Sequence, residues 1–317
     1  MNLPKITDID ISGKKVILRL DLDTDPDPND LRIKASKETI DHLHSKNSQI
    51  IIIAHRGRPD GKVDNNLSLK SFEPLFPGCE IKENLRFNPG EEENDVSFAK
   101  EISSWGDVYI NDAFASSHRQ HASIVGVPKY LPHAMGFRFG KEVENLGKVA
   151  ENPERPLVFL ISGIKKDKLA YIKSFEEIAD KILVGGRLPD FLEDRGLESV
   201  RTQSGKVIVG NLVMDKEDIT LNTIEKFEKI VESAKTVVVS GPLGKYEDEG
   251  HRQGTERVFK KILENNNAFK VAGGGDTERA ISLLSLPGKF DWISVGGGAM
   301  LEFLSKHTLP GIEALLN

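Results

Sequence analysis

Val271–Ala280 reads VAGGGDTERA and Ile293–Leu301 reads ISVGGGAML. In each, a short apolar run with the character of a buried strand (Phe269–Ala272, Trp292–Ser294) enters three glycines and leaves them into a helical pattern. Glycine permits positive φ and lets a bulky ligand reach the backbone, while the following helix offers unpaired N–H groups and the positive end of its dipole. Asp276, at the helix start, is placed either to cap it or to hold a magnesium ion that bridges phosphate oxygens, and Thr277 adds a hydroxyl. A single turn of this kind is more often a plain N-capped helix; two in succession favour a phosphate site.

The same rhythm extends outward from these turns. Leu157–Ile161, Lys181–Val184, Lys206–Val209 and Thr236–Val239 are further compact strand runs separated by helical patterns, which predicts a doubly wound parallel sheet. In the first half, Lys15–Leu20, Ile50–Ala54 and Val108–Ile110 are β-branched runs separated by helical patterns such as Ile33–Lys46, which predicts a second parallel sheet. The fold expected is α/β, with two Rossmann-like domains of parallel strands. Lys141–Glu151 reads as a charged helix ended by Asn152-Pro153, so residues 141–154 are expected to connect a domain of residues 1–140 to one of residues 155–302.

The chain has 317 residues, 38% hydrophobic and 29% charged, which is room for two ordinary domains with real cores. A formal charge of −6 supplies no polybasic field for nucleic acid or anionic membrane, so anion binding must rest on local clusters and a small partner is expected. No run reaches membrane-spanning length and MNLPKITDID lacks the apolar core of a signal peptide, while the single Cys79 forbids an internal disulfide. A cytoplasmic monomer acting on small molecules is expected.

Basic residues recur at predicted strand ends and loops, where open α/β sheets bind ligands. Arg19 ends a strand, Arg32 follows the loop Asp23–Asp30, His55 and Arg58 lie in AHRGRP, Arg86 in ENLRF, and Arg119 in NDAFASSHRQHAS. Taken singly, each arginine is better read as a surface partner of the plentiful acids. Together they suit a forked receptor for phosphate and carboxylate. The alternating Asp21, Asp23, Asp25 and Asp27 fail the calcium-loop template, since Pro26 and Arg32 stand where glycine and glutamate are needed. His42 and His44, two apart on a helix, face different ways and share no metal.

Lys165, Lys166 and Lys168 follow the strand and turn LVFLISG, a setting that suits phosphate, yet the pattern G-x-x-x-x-G-K-[ST] occurs nowhere. VVVSGPLGKYEDE ends a strand in a Gly-Pro-x-Gly turn with Glu247 beyond it. It is either a plain turn or the wall of a nucleoside site with a ribose-binding carboxylate.

ENLRF, NDAF followed by His118-Arg119, SGPLG, GGGDT, GGGA and the closing LPGIEALL occur in one order along nearly the whole chain. That set resembles the phosphoglycerate kinase family. The resemblance implies a hinge-bending enzyme whose N-terminal domain, completed by residues 303–317, holds 3-phosphoglycerate and whose C-terminal domain holds magnesium with ADP or ATP. It implies that Asp21 binds the substrate hydroxyl, that His55, Arg58, Arg86 and Arg119 take its distal phosphate with Arg19 and Asp23 beside them, and that Arg32 takes the reacting carboxyl-phosphate. Lys165 and Lys168 are implied at the nucleotide phosphates and the moving group, and Asp276 at the metal. Thr277 and the amides of Gly274, Gly275, Gly296 and Gly297 would surround phosphate, Glu247 would take the ribose, and Gly163, Gly185, Pro242, Gly244 and Gly273 would complete the nucleotide site. Arg32, Lys165, Thr277, Gly275 and Gly297 are the implied catalytic set. Phosphoryl transfer asks mainly for in-line positioning and positive charge around the moving oxygens, which these residues offer.

The chain departs from the family pattern at Asp23, where the family has asparagine, at Ser240 and Val295, in place of asparagine and threonine, and in a lysine loop one residue shorter. It is also shorter between Gly186 and Val237, with no glycine-leucine-aspartate element of the adenine pocket. Three readings follow: a compact phosphoglycerate kinase, favoured by the intact charged set; a kinase of another carboxylate; and a non-catalytic binding homologue, against which Lys165, Asp276 and Thr277 argue. The nucleotide base is open.

Overall fold

The structure, a computed structural model, describes residues 3–193, 205–286 and 288–317. Two compact units emerge, one of residues up to Glu144 with Thr308–Asn317, the other Asn145–His307.

In the first unit β1 (Lys15–Arg19), β2 (Gln49–Ile53), β3 (Cys79–Ile81), β4 (Val108–Asn111) and β5 (His133–Met135) form a parallel sheet in the order β3-β2-β1-β4-β5. Strand residues alternate faces, so Val16, Leu18, Ile50, Ile52, Val108 and Ile110 share one core with Ile33, Ile40 and Leu43 of α1 (Leu31–Ser45). Ile17, Ile51, Ile53 and Tyr109, on the opposite face, are buried too, which is why these strands read as unbroken apolar runs. Asp30 caps α1 by accepting from the Arg32 N–H (2.7 Å). β3 and β5 were not expected: CEI and HAM are three-residue edge strands with no β-branched run to mark them.

The second unit holds β6 (Leu157–Ile161), β7 (Lys181–Val184), β8 (Val207–Val209), β9 (Thr236–Ser240), β10 (Phe269–Gly273) and β11 (Trp292–Ser294), all parallel, in the order β11-β10-β9-β6-β7-β8. Its main core is closed by α6 (Leu221–Ser233) and α7 (Gln253–Glu264), whose Phe227, Val231, Val258, Phe259 and Ile262 are buried together. On the sheet's other face Phe159 stacks on Phe175 at 4.3 Å between ring centroids. The return to the first unit begins at Thr308 rather than at residue 303, because α9 (Gly297–Lys306) runs unbroken to a left-handed cap at His307. The other boundary falls inside α3 (Phe137–Glu151), between Glu144 and Asn145, instead of at residue 140.

In each sheet the chain builds outward to one side and then returns to build on the other. The reversal lies between β1 and β4 in the first unit and between β6 and β9 in the second. Loops leave in opposite directions there and open a crevice at the strands' carboxyl ends. Past β4, buried Asp112 accepts from Thr39 Oγ1 (2.6 Å) and the Phe139 N–H (2.9 Å), while Thr39 accepts from the Phe137 N–H (3.0 Å). Burial pushes the Asp112 carboxyl up to about 7 against the pull of those bonds. Thr39 thereby satisfies an acid and a helix start at once. Thr39→Val, equal in volume, strands both groups and should cost about 1–3 kcal/mol, seen as a lower urea midpoint with an unchanged slope.

Candidate active site

The crevice of the first unit gathers the predicted cations. Arg19, at the end of β1, is fully buried: Nε donates to Ser123 Oγ (3.0 Å), Nη2 to His55 Nδ1 (2.9 Å), and Nη1 to the Leu20 carbonyl. It is therefore a support for His55. Because guanidinium only donates, His55 Nδ1 is the acceptor and the ring proton sits on Nε2, 4.0 Å from Asp23 Oδ2. Burial holds the His55 imidazole well below its ordinary range, reinforced by Arg19, Arg86, His121 and Arg119. It is a neutral donor.

Arg86 is 2% exposed and donates Nη1 to the Gly57 carbonyl (2.7 Å), with Nε 3.2 Å from Glu92, while its Nη2 has no hydrogen-bond partner among the described residues. Arg119 acts electrostatically on both His55 and Arg86, so the two arginines and the neutral imidazole share one locality. Arg58 is exposed on the loop after β2, next to the Gly57 that Arg86 and Asp23 both hold. Asp21 is already engaged, accepting from the Ala115 N–H (2.8 Å) and Ser116 Oγ (2.5 Å). The Asp23 carboxylate accepts from the Gly57 N–H (2.8 Å) and its carbonyl accepts from Arg32 Nη1. Asp23 thus fastens the AHRGRP loop to Arg32. Glu91 was not foreseen: fully buried, it accepts from the Ser123 N–H (2.9 Å) and hydroxyl (2.6 Å) and so anchors Arg19 from behind. Its signal, one acid within a run of three, is invisible without the fold.

In the second unit a cleft of about 340 Å³ runs along the carboxyl edge of the sheet. Asp276 lines it after β10, Pro242, Gly244 and Glu247 after β9, and Gly163 after β6. Gly186, not Gly185, lines it after β7: a Cβ on Gly185 would lie 2.2 Å from Leu243 Cδ2, so that glycine serves packing. Gly273, buried against Met300, does the same. The two glycine turns touch, since a Cβ on Gly297 would lie 2.8 Å from the Gly274 Cα, and Gly274 has φ +99°. They bring the N-termini of α8 (Gly275–Leu283) and α9, with Gly275 and Gly296, side by side.

Thr277 Oγ1 is buried, accepting from the Gly241 N–H (2.8 Å) and donating to the Gly273 carbonyl (2.9 Å). Its hydroxyl ties the turn after β9 to the end of β10. Lys168 Nζ likewise donates to the carbonyls of Ser162 (2.7 Å) and Ser240 (3.0 Å), across the reversal point. Burial lowers its ammonium to about 8, Lys165 adding to the effect while Asp276 and Asp167 oppose it. Lys165 is exposed at the start of the next turn. Sequence reasoning did not single out Arg187, Lys216, Glu217 and Tyr246, which the fold brings into the cleft wall.

No three metal-ligating side chains cluster among the described residues, so the protein offers no cage. Exposed Asp276 at a helix start, beside open amides, fits a magnesium ion that takes most of its ligands from phosphate and water.

Two parallel α/β units, one gathering basic side chains at its sheet's reversal and one carrying a glycine-lined cleft, have the make-up of a phosphotransferase. The sequence model described as phosphoglycerate kinase matches residues 6–76, 80–198 and 198–307. Curated phosphoglycerate kinases of Moorella thermoacetica (33% identical, 98% of each chain covered) and Solibacter usitatus (33%, 99% of this chain and 100% of the other) are similar. So are solved phosphoglycerate kinases of Coxiella burnetii (TM-score 0.83, 27% identical, 99% of each chain) and Pyrococcus horikoshii (0.83, 25%, 99% and 98%). The chain belongs to the phosphoglycerate kinase family. Its activity is the glycolytic transfer of a phosphoryl group between 1,3-bisphosphoglycerate and ADP, giving 3-phosphoglycerate and ATP.

Since the folded pKa of His55 lies below the unfolded value of about 6.5, its contribution to stability is present above that pH and is lost as pH falls below it. Its ring signals in NMR should stay those of the neutral Nε2–H tautomer from pH 8 to 6. Titration with a midpoint near 6.5 would contradict the buried Arg19–His55 arrangement.

Proposed function

We propose that the first unit's cation cluster binds 3-phosphoglycerate, with His55, Arg58, Arg86 and Arg119 on the distal phosphate, Arg32 on the reacting carboxyl-phosphate and Asp21 on the hydroxyl. The observation that carries this assignment is the shared locality of His55, Arg86 and Arg119, with an unpartnered Arg86 Nη2, at the sheet's reversal point. In the second unit the amides of Gly274, Gly275, Gly296 and Gly297 hold the nucleotide phosphates, Glu247 the ribose and Asp276 the magnesium. When bound, the ion neutralises charge on the phosphate oxygens. Lys165, the exposed lysine, stabilises the moving phosphoryl group, while Lys168 keeps the crevice in shape.

Hinge closure that excludes water from the acyl phosphate, a monomeric state and a cytoplasmic setting belong to the same proposal. Asp23, whose carboxylate accepts from the Gly57 N–H and acts on Arg86, is read as fixing the loop that carries Arg58 and not as selecting another carboxylate. The test is a coupled assay with 3-phosphoglycerate, ATP and magnesium. Arg32→Ala and Lys165→Ala should each lower kcat on the order of 10³-fold with a smaller change in KM. Asp276→Ala should instead raise the magnesium and nucleotide concentrations needed for half-maximal rate. Turnover within a few-fold of the parent in both of the first two variants would remove them from the transfer step.

A further inference from the structure

Two walls of the nucleotide cleft come from separate stretches of chain. Lys245, Tyr246 and Glu247 follow β9, while Lys216 and Glu217 stand in the segment between β8 and α6. Two bonds to backbone amides join these stretches: the Lys245 N–H donates to the Glu217 carbonyl (2.9 Å) and the Gly254 N–H to Asp218 Oδ2 (2.9 Å). A third tie runs through one side chain. His251 Nδ1 lies 3.1 Å from Asp248 Oδ2, and its Nε2 lies 2.9 Å from Asp215 Oδ2. Asp248 directly follows Glu247, and Asp215 directly precedes Lys216. Ionised carboxylates only accept, so a ring that meets one at each nitrogen carries both protons. His251 is thus an imidazolium set between the two walls.

We propose, resting on the kinase reading above, that His251 is a positioning residue for the nucleotide, holding the wall with the ribose carboxylate Glu247 against the wall with Glu217. Its hydrogen bonds to Asp248 and Asp215 keep the ring above the ordinary histidine range. Asp218 acts on it from the β8–α6 segment, and Lys245 acts on Asp248 from the turn after β9. Arg252, the next residue, is paired with Glu249 (3.8 Å) and Glu256 (3.5 Å). A group whose folded pKa is raised stabilises in full below its unfolded value of about 6.5 and ceases to as pH rises through the folded value. Loss of one ring proton turns a nitrogen lone pair toward a carboxylate, and one of the two contacts goes. For a solvent-screened pair that is a few-fold effect on nucleotide affinity.

The experiment measures KM for ADP and for magnesium-ATP, with ADP binding by calorimetry, between about pH 6 and 9 in the parent, His251→Gln and Asp215→Asn. At the acid end each variant should raise the nucleotide KM about two- to fivefold, and the double variant no further, with kcat and the KM for 3-phosphoglycerate unchanged. As pH rises the parent should lose that advantage over His251→Gln. Lys168, lowered to about 8, is common to both and cancels in the comparison. The His251 ring in NMR should show both nitrogens protonated at the acid end and a midpoint above about 6.5. A neutral ring there, a nucleotide KM unmoved by His251→Gln, or an equal rise in the KM for 3-phosphoglycerate would overturn the inference. If the parent transfers no phosphoryl group, the kinase reading fails, while ADP calorimetry over the same pH range still decides the part His251 plays.

Discussion

A parallel sheet that is built outward from a central strand to both sides must part its loops where the order reverses, and both units depend on that constraint. At the β6–β9 reversal the ladder ends with the Ser162 N–H on the Ser240 carbonyl, where Lys168 bridges the Ser162 and Ser240 carbonyls, and between the ends of β9 and β10 Thr277 joins Gly241 to Gly273. At the β1–β4 reversal Asp21 spans from β1 to the turn after β4, and Arg19 spans to β2 through His55. The crevices are held open by side chains whose polar groups are spent on backbone.

That division of labour accounts for residues with familiar chemistry that take structural parts. Gathering like charges is costly, and the first unit limits the cost by burying Glu91 behind Arg19 and by keeping His55 neutral. Arg86 Nη2 is left with an unpartnered donor among the described residues, while Arg58 is exposed and Arg119 partly so. Donors fixed before the ligand arrives need no reorganisation when charge develops.

Glycine plays two parts in the second unit. Gly274 and Gly297 let two helix N-termini meet, a contact that any side chain at Gly297 would break, whereas Gly185 and Gly273 make room for Leu243 and Met300.

The chain alone fixed the architecture through period: runs such as Gln49–Ile53 and Thr236–Ser240, buried on both faces, carry an unbroken apolar signal that needs no tertiary context. It also placed the basic and glycine motifs at strand ends, since alternation of strand and helix locates those ends. The edge strands β3 and β5 escaped, being too short for a pattern. Tertiary structure alone decided which groups are spent. Whether Thr277 offers a hydroxyl, whether Arg19 offers a fork, or whether Glu217 reaches a cleft depends on partners far off in sequence: Gly241, Ser123 and Arg187. Hydrogen-bond capacity is a property of the packed neighbourhood, so no local stretch can record it.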